Sequence, residues 1–598
     1  MTRGVRHRKV SDTFFYASAM RICLVTPFAW SQPHDVNDHV AGVADALRGR
    51  GHEVTVVAPS TRAGDLLAGR RALASGTRAD VLAVGPAVPV SRRSQLGVPV
   101  GVQANLRQAL GLGFDVVHGF EPGLPSLSYL ALRDTDALAI ATFVSPNRLG
   151  YPPARSAREK LLARVDALVA LSEEVHAAAE LRFPGDYRIL SPGVDTTLFA
   201  PAAKRDLIVL ELRPNERFVA RAVTRVLREL PGWELVLLRT RPLIARPAIP
   251  RDLASRVRVR TARDGTSRAA LLNEAAIFVP GIAGLQRAKL EALAAGCAIV
   301  RPNGLESQPE LAAAATARLA EDQGLRAREG AAARAAAESQ TFAAVAAELD
   351  ALYAEVGARK RPRRRAHEPL ADRPWIVADL HMHTSWSHDC SIDPGELVDH
   401  AEAEGLGAIA VTDHNVFGGA LEAADYARDR ALVVIPGEEV KTDDQGEVIG
   451  LFLQSEIPRG MSFAETVAAI REQNGIVYVP HPFDRLHAVP DPRTLHRHLG
   501  DIDVLEVYNA RLLFEGYNDE ALRFARKYGI TAGAGSDAHV LQGVGTGAVR
   551  MRAFEDAEEF LLSLRTAEIL RRPKPLAYLQ SLKWVAQVKE KVREEKVR

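Results

Sequence analysis

The sequence contains little cysteine, little net charge and no long apolar run, and each shortage excludes a class of protein. Its three cysteines, Cys23, Cys297 and Cys390, are too scattered for a disulfide framework or a CxxC metal cage. The formal net charge of +2 gives no reason to expect a membrane partner, and it leaves nucleic acid open. No window supplies the roughly twenty apolar residues of a membrane-spanning helix. We therefore expect a cytoplasmic protein that does not bind membranes.

The chain of 598 residues is too long for one hydrophobic core and predicts several domains. From Met20, short apolar runs alternate with amphipathic helices, a pattern typical of parallel sheets with helices on both faces. The pattern restarts after SPGVDTTLFAP and again after a basic, proline-containing run. The predicted parts are a disordered leader (1–19), two Rossmann-like domains (20–190 and 191–356), an exposed linker (357–374), a third α/β domain (375–570) and a charged amphipathic helix (571–598).

Side chains that can bind metals follow nearly every predicted strand of the third domain. They are His381, His383, His414, Glu438 or Glu439, His481, Asp537 and His539. Because the carboxyl ends of parallel strands gather on one rim of an α/β barrel, these side chains should lie together. Crowded carboxylates and imidazoles would be costly to bury unless cations neutralise them. Ligands of this kind, without thiolates, suit zinc, manganese or iron(II).

The motifs HMHTSWSHD, TDHN, PGEEV, VPHPFD and GSDAH resemble, in order, those of the PHP (polymerase and histidinol phosphatase) family over about residues 375–570. The resemblance implies a distorted (β/α)7 barrel with two or three divalent metal ions that hydrolyses phosphomonoesters or phosphodiesters. Nucleotides, sugar phosphates, histidinol phosphate and oligonucleotides all remain open as substrates.

The resemblance also distributes the ligands by motif position. The first ion takes His381, His383 and Asp537, with Glu439 as a bridge; a further ion takes Asp389, His414 and His539; the remaining ion takes His481. The family's Gly-x-Glu pattern selects Glu439 over Glu438. By the same logic, the position two residues past Ser387 selects Asp389 over His388.

One position departs from the family pattern. Many members carry a histidine ligand after the bridging glutamate, before an apolar strand, and this chain has Glu447 there. Glu447 can still ligate through oxygen. Whether it does so decides between two ions and three, and the sequence leaves both open.

The expected metals imply a mechanism. A bound ion lowers the pKa of its water towards about 7 and neutralises phosphoryl oxygens, so a metal-activated hydroxide can attack without a protein nucleophile. We expect Asp537, His539 and His481 to serve catalysis. Arg485 and Arg511, which follow HPFD and YNA, are either phosphate clamps or surface arginines.

The first two domains resemble a second family. The motifs RICLVTPFAWSQPHDVNDHVAGVADALRGRGHEVTVVAPS, FDVVHGFEP, DALVALSEEV and RILSPGVDTTLFAP are similar to those of a family 4, GT-B-fold glycosyltransferase over roughly residues 20–356. The resemblance implies a nucleotide-sugar bound between two Rossmann-like halves. Its phosphates would be held by a glycine-rich turn and an Arg/Lys pair.

Several parts of that nucleotide-sugar site are missing. His34 and Asp35 replace the glycine pair, and Val144 replaces a histidine. Arg217 is at best what remains of the Arg/Lys pair. Of the two glutamates expected in the donor site, Glu291 is present and the other is replaced by Ala283. We therefore predict a degenerate site, marked by Glu291 and Arg217, that binds a nucleotide-sugar-like ligand, a glycan or a partner without turnover. The alternatives are an active glycosyltransferase with an accessory PHP domain, and a non-catalytic scaffold with structural metals. Open, carboxylate-rich sites are atypical of structural zinc.

Overall fold

The chain forms two compact units, Met1–Val356 and Gly357–Arg598, in a computed structural model. The structure describes residues 19–91, 94–97, 102–212, 217–239, 248–262, 264–281, 287–300, 309–359, 370–575 and 581. Nearly all of the predicted disordered leader, most of the predicted linker, most of the predicted carboxyl-terminal helix and Ala283 lie outside these residues.

The first unit begins with an eight-stranded sheet in the order β4-β3-β2-β1-β5-β6-β7-β8. Its strands are β1 (Arg21–Val25), β2 (Glu53–Ser60), β3 (Val81–Ser91), β4 (Ser94–Gly97), β5 (Val116–Phe120), β6 (Leu138–Phe143), β7 (Ala167–Ala170) and β8 (Tyr187–Ile189). Its helices are α1 (Asp35–Gly49), α2 (Ala63–Ala74), α3 (Gln103–Leu110), α4 (Leu127–Asp134), α5 (Arg155–Arg164) and α6 (Glu173–Glu180). The central strands read as continuous apolar runs because helices cover both faces of a parallel sheet.

A second sheet in the same unit has the order β11-β10-β9-β12-β13, with every pairing parallel. Its strands are β9 (Arg205–Glu211), β10 (Glu234–Arg239), β11 (Val257–Thr261), β12 (Ala275–Val279) and β13 (Ala298–Ile299). Its helices are α7 (Arg217–Val226), α8 (Gly265–Leu272), α9 (Arg287–Ala294), α10 (Pro309–Glu321), α11 (Gln323–Glu338) and α12 (Phe342–Ala358). The last helix, α12, returns to the first sheet, where Leu349 and Tyr353 are buried in the same core as Ile22 and Leu24.

The second unit contains a nine-stranded sheet in the order β20-β19-β18-β17-β16-β15-β14-β21-β22. Its strands are β14 (Trp375–Met382), β15 (Ala408–Val411), β16 (Val433–Lys441), β17 (Glu447–Leu451), β18 (Ile476–Val479), β19 (Val504–Asn509), β20 (Thr531–Gly535), β21 (Gly547–Arg552) and β22 (Glu568–Arg571). Its helices are α13 (Pro394–Ala403), α14 (Gly418–Tyr426), α15 (Phe463–Glu472), α16 (Pro492–Arg497), α17 (Glu515–Tyr528) and α18 (Ala557–Leu564).

This sheet curls into a nearly closed barrel. Strand β14 pairs with β15 on one side, and a bridge from Met382 to Ala538 links its end to the segment that follows β20. Strand β17 runs antiparallel to both β16 and β18, which is the distortion of an otherwise parallel β/α pattern. The predicted fold class, two Rossmann-like sheets followed by a distorted α/β barrel, is confirmed.

The absence of a long apolar run in the sequence has its counterpart in the fold. None of the helices in the described part of the chain combines the length and the apolar character that crossing a bilayer requires.

Candidate metal centre

Glu439, on β16, is the point at which the predicted ligands meet. Its Oε1 lies 3.2 Å from Nε2 of His481. Its Oε2 lies 3.4 Å from Nε2 of His381, 3.5 Å from Nε2 of His383 and 3.0 Å from Nδ1 of His414. One buried carboxylate therefore faces imidazoles from three different strand ends.

The remaining predicted ligands extend this cluster along the rim. Oδ1 of Asp537 lies 3.4 Å from Nε2 of His383. His539, two residues further on, places Nε2 3.0 Å from Oδ2 of Asp389, and Oδ1 of Asp389 is 3.8 Å from Nε2 of His414. The structure thus brings Asp389 to the same rim as the histidines.

Glu447 reaches the rim because β17 is reversed. Parallel strands bring their carboxyl ends to the rim, whereas β17 brings its first residue, Glu447, there. Oε2 of Glu447 lies 3.8 Å from Nε2 of His481. Burial and the nearby charge of Glu439 raise the pKa of Glu447, an electrostatic cost that a cation would remove.

Four overlapping groups of side chains in the described residues offer ligand atoms within 4.8 Å of one another. They are His383, His414 and His539; His381, His481 and Asp537; His381, His383 and Glu439; and Glu439, Glu447 and His481. Two of these are compatible with the predicted distribution of ligands, whereas the group of His383, His414 and His539 and the group of His381, His481 and Asp537 each join residues assigned to different ions. The residues can hold metal ions, and their distribution among ions stays a prediction.

Among the buried ligand atoms of this cluster, Oε2 of Glu439 and Nδ1 of His481 make no hydrogen bond of normal geometry with the described residues, although imidazole nitrogens surround Oε2 at 3.0–3.5 Å. Buried polar atoms are normally satisfied, because leaving one unpaired is costly. Carboxylate oxygen and imidazole nitrogen are both ligands for zinc and similar divalent metals. The donor set therefore fits divalent ions of this kind.

The pKa shifts within the cluster also favour a bound cation. Burial alone would lower the pKa of His414 and His481, but Glu439 outweighs it and raises both to about 9. Burial alone would raise the pKa of Asp537, but Arg511 and His381 hold it well below its usual range. Without a metal, Glu439 therefore keeps protons on the imidazoles of His414 and His481. A divalent cation takes the place of those protons as counter-charge.

The backbone of the rim is unusual at two predicted ligands. His481 has φ of 26° and Asp537 has φ of 51°. Residues other than glycine rarely adopt this left-handed region of backbone conformation. Backbone hydrogen bonds hold the second of these loops in place, since Asp537 N donates to His381 O at 2.8 Å and His383 N to Ala538 O at 3.1 Å. Strain of this kind concentrates at functional sites.

Glu506, on β19, belongs to the cluster although no sequence motif pointed to it. Its carboxylate lies 3.1 Å from Nδ1 of His381, accepts a hydrogen bond from the backbone N of His481 at 2.8 Å, and accepts another from the hydroxyl of Tyr478 at 3.0 Å. The available signal was a glutamate inside the apolar strand DVLEVYN, since an unpaired charge is rarely buried.

Asp413, in the TDHN motif, has a similar supporting place. It accepts hydrogen bonds from the backbone N of Thr384 at 2.7 Å and from the hydroxyl of Ser387 at 2.7 Å. The Ser387 hydroxyl in turn lies 3.2 Å from Nδ1 of His383. Asp413 therefore helps to orient the His383 ring.

Replacing Glu506 with glutamine is expected to weaken metal binding about 10- to 100-fold, because partners that orient ligating histidines have effects of this size. Competition with a chromophoric chelator measures the affinity. Glu472→Gln, at the exposed end of α15, is the control and should bind as wild type. An unchanged affinity in Glu506→Gln would show that Glu506 does not support the ligands.

The two predicted phosphate-binding arginines occupy different places. Arg511 directs NH1 to Oδ1 of Asp537 at 3.1 Å and to Nδ1 of His539 at 3.0 Å, so it touches the cluster directly. Arg485 is half-buried on the loop that follows His481.

In the first unit, Glu291 is buried in an ion-pair network. It accepts two hydrogen bonds from Arg268, at 2.6 and 2.7 Å, and one from Arg287 at 2.7 Å. Asp38, on α1, lies 3.1 Å from Arg287 and 3.8 Å from Arg268. Arg217 is exposed at the start of α7, and the described residues show no contact between it and Glu291. The structure therefore does not join the two residues predicted to mark the nucleotide-sugar site.

The start of α1 is also acidic. His34 caps this helix by accepting a hydrogen bond from the backbone N of Val36, and Asp35 and Asp38 lie in its first turn. Carboxylates at a helix amino terminus are stabilised by the exposed N–H groups and the helix dipole. Their negative charge would repel a phosphate group at this end of the helix.

Comparisons with known proteins agree with this division of the chain. Residues 36–198 match the model of Glycosyltransferase Family 4, residues 379–513 match the PHP domain, and residues 515–569 match the PHP-associated domain.

Several known proteins are similar to parts of the chain. An uncharacterized protein of Methanocaldococcus jannaschii is 34% identical over 209 residues, which are 33% of this chain and 83% of that protein. A second uncharacterized protein of the same organism is 34% identical over 145 residues, 23% of this chain and 82% of that protein. The phosphatidyl-myo-inositol mannosyltransferase of Propionibacterium freudenreichii subsp. shermanii is 33% identical over 161 residues, 26% of this chain and 41% of that enzyme. The carboxyl-terminal unit of the chain thus carries a PHP domain followed by a PHP-associated domain, and a Glycosyltransferase Family 4 match precedes them in the first unit.

Proposed function

We propose that the PHP unit is a metal-dependent phosphoesterase that hydrolyses phosphomonoesters or phosphodiesters. The observation that supports this most strongly is the convergence of imidazoles from three strand ends on the buried carboxylate of Glu439. Zinc, manganese or iron, as two or three ions, would neutralise phosphoryl oxygens and acidify water when bound there.

The proposed ligands are His381, His383, Asp389, His414, Glu439, Glu447, His481, Asp537 and His539. Burial lowers the pKa of His539, so its ring is neutral and has a lone pair to offer. Glu506 would orient the ring of His381 through Nδ1, and Asp413 would orient the ring of His383 through the hydroxyl of Ser387.

Arg511 is the proposed phosphate-binding residue. Asp537 and His539 hold NH1 of its guanidinium, which leaves other N–H groups of the fork for phosphoryl oxygens. A guanidinium can bind two such oxygens at once and keeps its charge at any ordinary pH. Arg485, on the next loop of the rim, is proposed to bind the same group from the other side.

Metal analysis combined with a phosphoester substrate panel tests this function. Purified protein should contain two or three transition-metal ions per chain and should hydrolyse an aryl phosphate or an aryl phosphodiester. A chelator should abolish the activity, and the same metal should restore it. Activity that survives both the chelator and an Asp537→Ala, His539→Ala double substitution would refute the proposal.

Glu447 decides how many ions are held. Glu447→Ala is expected to lower the metal content by about one ion per chain, because it removes a ligand from the group shared with Glu439 and His481. Glu447→His, which restores the residue common in the family, should keep the wild-type content. Plasma emission spectrometry after gel filtration measures it, with Glu472→Ala as control. Equal contents in all four proteins would mean that Glu447 is not a ligand.

We infer that the first unit binds a ligand or partner without transferring a sugar. A cavity of about 480 Å³, lined by Asp38, Arg287, Glu291 and Phe342 among others, could accept a nucleotide-sugar-like ligand or a glycan. Its basic groups are already neutralised by acidic ones, so it has little charge to offer a diphosphate. The alternative is glycosyl transfer from a nucleotide-sugar donor, which the family match and Glu291 support. Calorimetric titration with UDP- and GDP-sugars, followed by a search for transfer products, separates the two.

A further inference from the structure

Trp386 is a large aromatic residue that is exposed beside the metal centre. It lies on the loop between His383 and Asp389, two proposed ligands, and 49% of its surface is accessible. Single exposed apolar residues are common and need no explanation. The way in which this one is held is uncommon.

Three features fix the Trp386 side chain in place. Its indole Nε1 donates a hydrogen bond to Oε2 of Glu422 at 2.9 Å, and its backbone N donates to the hydroxyl of Thr384 at 3.3 Å. A Cβ atom added at Gly418 or Gly419, at the start of α14, would overlap the indole ring. The ring therefore packs closely on two adjacent glycines while half of the residue stays open to solvent.

The loop that carries Trp386 is attached to the ligands on both sides. Thr384 donates its hydroxyl to Asp413 at 2.6 Å. The hydroxyl of Ser387 lies 3.2 Å from Nδ1 of His383 and accepts a hydrogen bond from the backbone N of His414 at 3.0 Å. Thr384 is thus tied to Asp413, which helps to orient His383, and Ser387 is tied to the proposed ligands His383 and His414, so the loop that carries Trp386 has a defined position.

Other rim loops also expose apolar side chains. Leu486 follows β18, and Leu513 and Phe514 follow Arg511 after β19, and all three are exposed. These side chains and Trp386 are exposed on loops that also carry proposed ligands or Arg511. Exposed apolar side chains on such loops suit a substrate whose phosphate binds in the charged centre while an apolar group stays outside it.

We propose that Trp386 is a substrate-positioning residue that stacks on the planar aromatic or heteroaromatic leaving group of a phosphoester bound at the metal centre. The proposal rests on the phosphoesterase function proposed above and names its substrate class. An indole offers a large, flat surface at little entropic cost when it is already fixed. Stacking on one aromatic ring is expected to change affinity about tenfold to a hundredfold.

Two phosphonates that cannot be hydrolysed test the proposal by binding alone. Calorimetry on the metal-loaded full chain compares phenylphosphonate with methylphosphonate. Wild type should bind phenylphosphonate at least about tenfold more tightly. Trp386→Ala should lose this preference while its affinity for methylphosphonate and its metal content stay unchanged. Trp386→Phe, which keeps an aromatic ring, should retain part of the preference.

Trp375 provides a matched control. It is a partly exposed tryptophan at the start of β14, whereas Trp386 lies on the loop that follows the end of this strand. Its ring packs under Arg550 and Arg552. Trp375→Ala should keep the wild-type preference.

Three results would overturn the proposal, and they differ in what they imply. Equal binding of both phosphonates by wild type, or a preference that survives in Trp386→Ala, removes the role of Trp386 and leaves the phosphoesterase function standing. Failure of wild type to bind either phosphonate, together with no hydrolysis of any phosphoester, removes the proposed function and the stacking role with it.

Discussion

Replacing Glu439 with alanine is expected to lower phosphoester hydrolysis about 1,000-fold, the largest loss anticipated for a single change in this protein. The reason is its position, since both carboxylate oxygens of Glu439 face imidazoles of other proposed ligands. Without Glu439, ions bound in the cluster would lack a carboxylate that faces the imidazoles of the other proposed ligands. Metal content should therefore fall together with activity, and the two are measured on the same preparation.

Glu438 supplies the control for that experiment. It precedes Glu439 in the same strand, and strand alternation turns it to the opposite face, where its Oε2 accepts a hydrogen bond from the backbone N of Ile457 at 2.9 Å. Burial raises the pKa of Glu438 to about 7, so glutamine closely mimics its protonated form. Glu438→Gln should keep its metal and its activity. Loss in Glu438→Gln with retention in Glu439→Ala would reverse the assignment of the bridging residue.

Replacing Glu291 with alanine is expected to destabilise the first unit by about 3–5 kcal/mol, the cost of leaving a buried charge unpaired. Arg268, Arg287 and Glu291 share three hydrogen bonds, and Arg268 is buried. Denaturant titration of the full chain, with hydrogen exchange followed on peptides of the first unit, measures the change.

Two further variants test whether Glu291 stabilises the fold by neutralising Arg268 and Arg287. Glu321→Ala, at the exposed end of α10, should leave stability unchanged. The double variant Arg268→Met, Glu291→Leu should recover most of the loss, because replacing both members of a buried ion pair with apolar side chains is often neutral. If Glu291→Ala instead left stability intact and abolished binding of a nucleotide-sugar, Glu291 would be a donor-site residue and the degenerate interpretation would be wrong.

The place of the metal centre could be predicted because the order of motifs follows the order of strands. Each motif comes directly after an apolar run, and the ends of parallel strands meet on one rim. Asp389 shows how far this reaches. Asp389 lies six residues past His383, outside any strand, and its Oδ2 is still 3.0 Å from Nε2 of His539. The reason is that the loop from His383 to Asp389 is short and held by hydrogen bonds.

The order of motifs and strands could not predict that Glu447 and Glu506 lie in the cluster. Glu447 touches the cluster only because β17 runs against its neighbours, and the direction of a strand is not visible in its apolar pattern. Glu506 is separated from His381 by 125 residues. Its role depends on the register of β19 within the barrel, which no local motif encodes.

The sequence by itself determined the fold class and the set of candidate metal ligands, because periodicity, strand-end position and residue type are local properties that one chain displays directly. Only the tertiary structure decided which charges neutralise which. In the PHP unit it left carboxylates and imidazoles facing one another, so that the cluster favours a cation. In the first unit it paired Glu291 with Arg268 and Arg287 and brought Asp38 beside them. The physical reason is that the net charge of a buried site is a sum over residues distant in sequence, and packing alone selects the members of that sum.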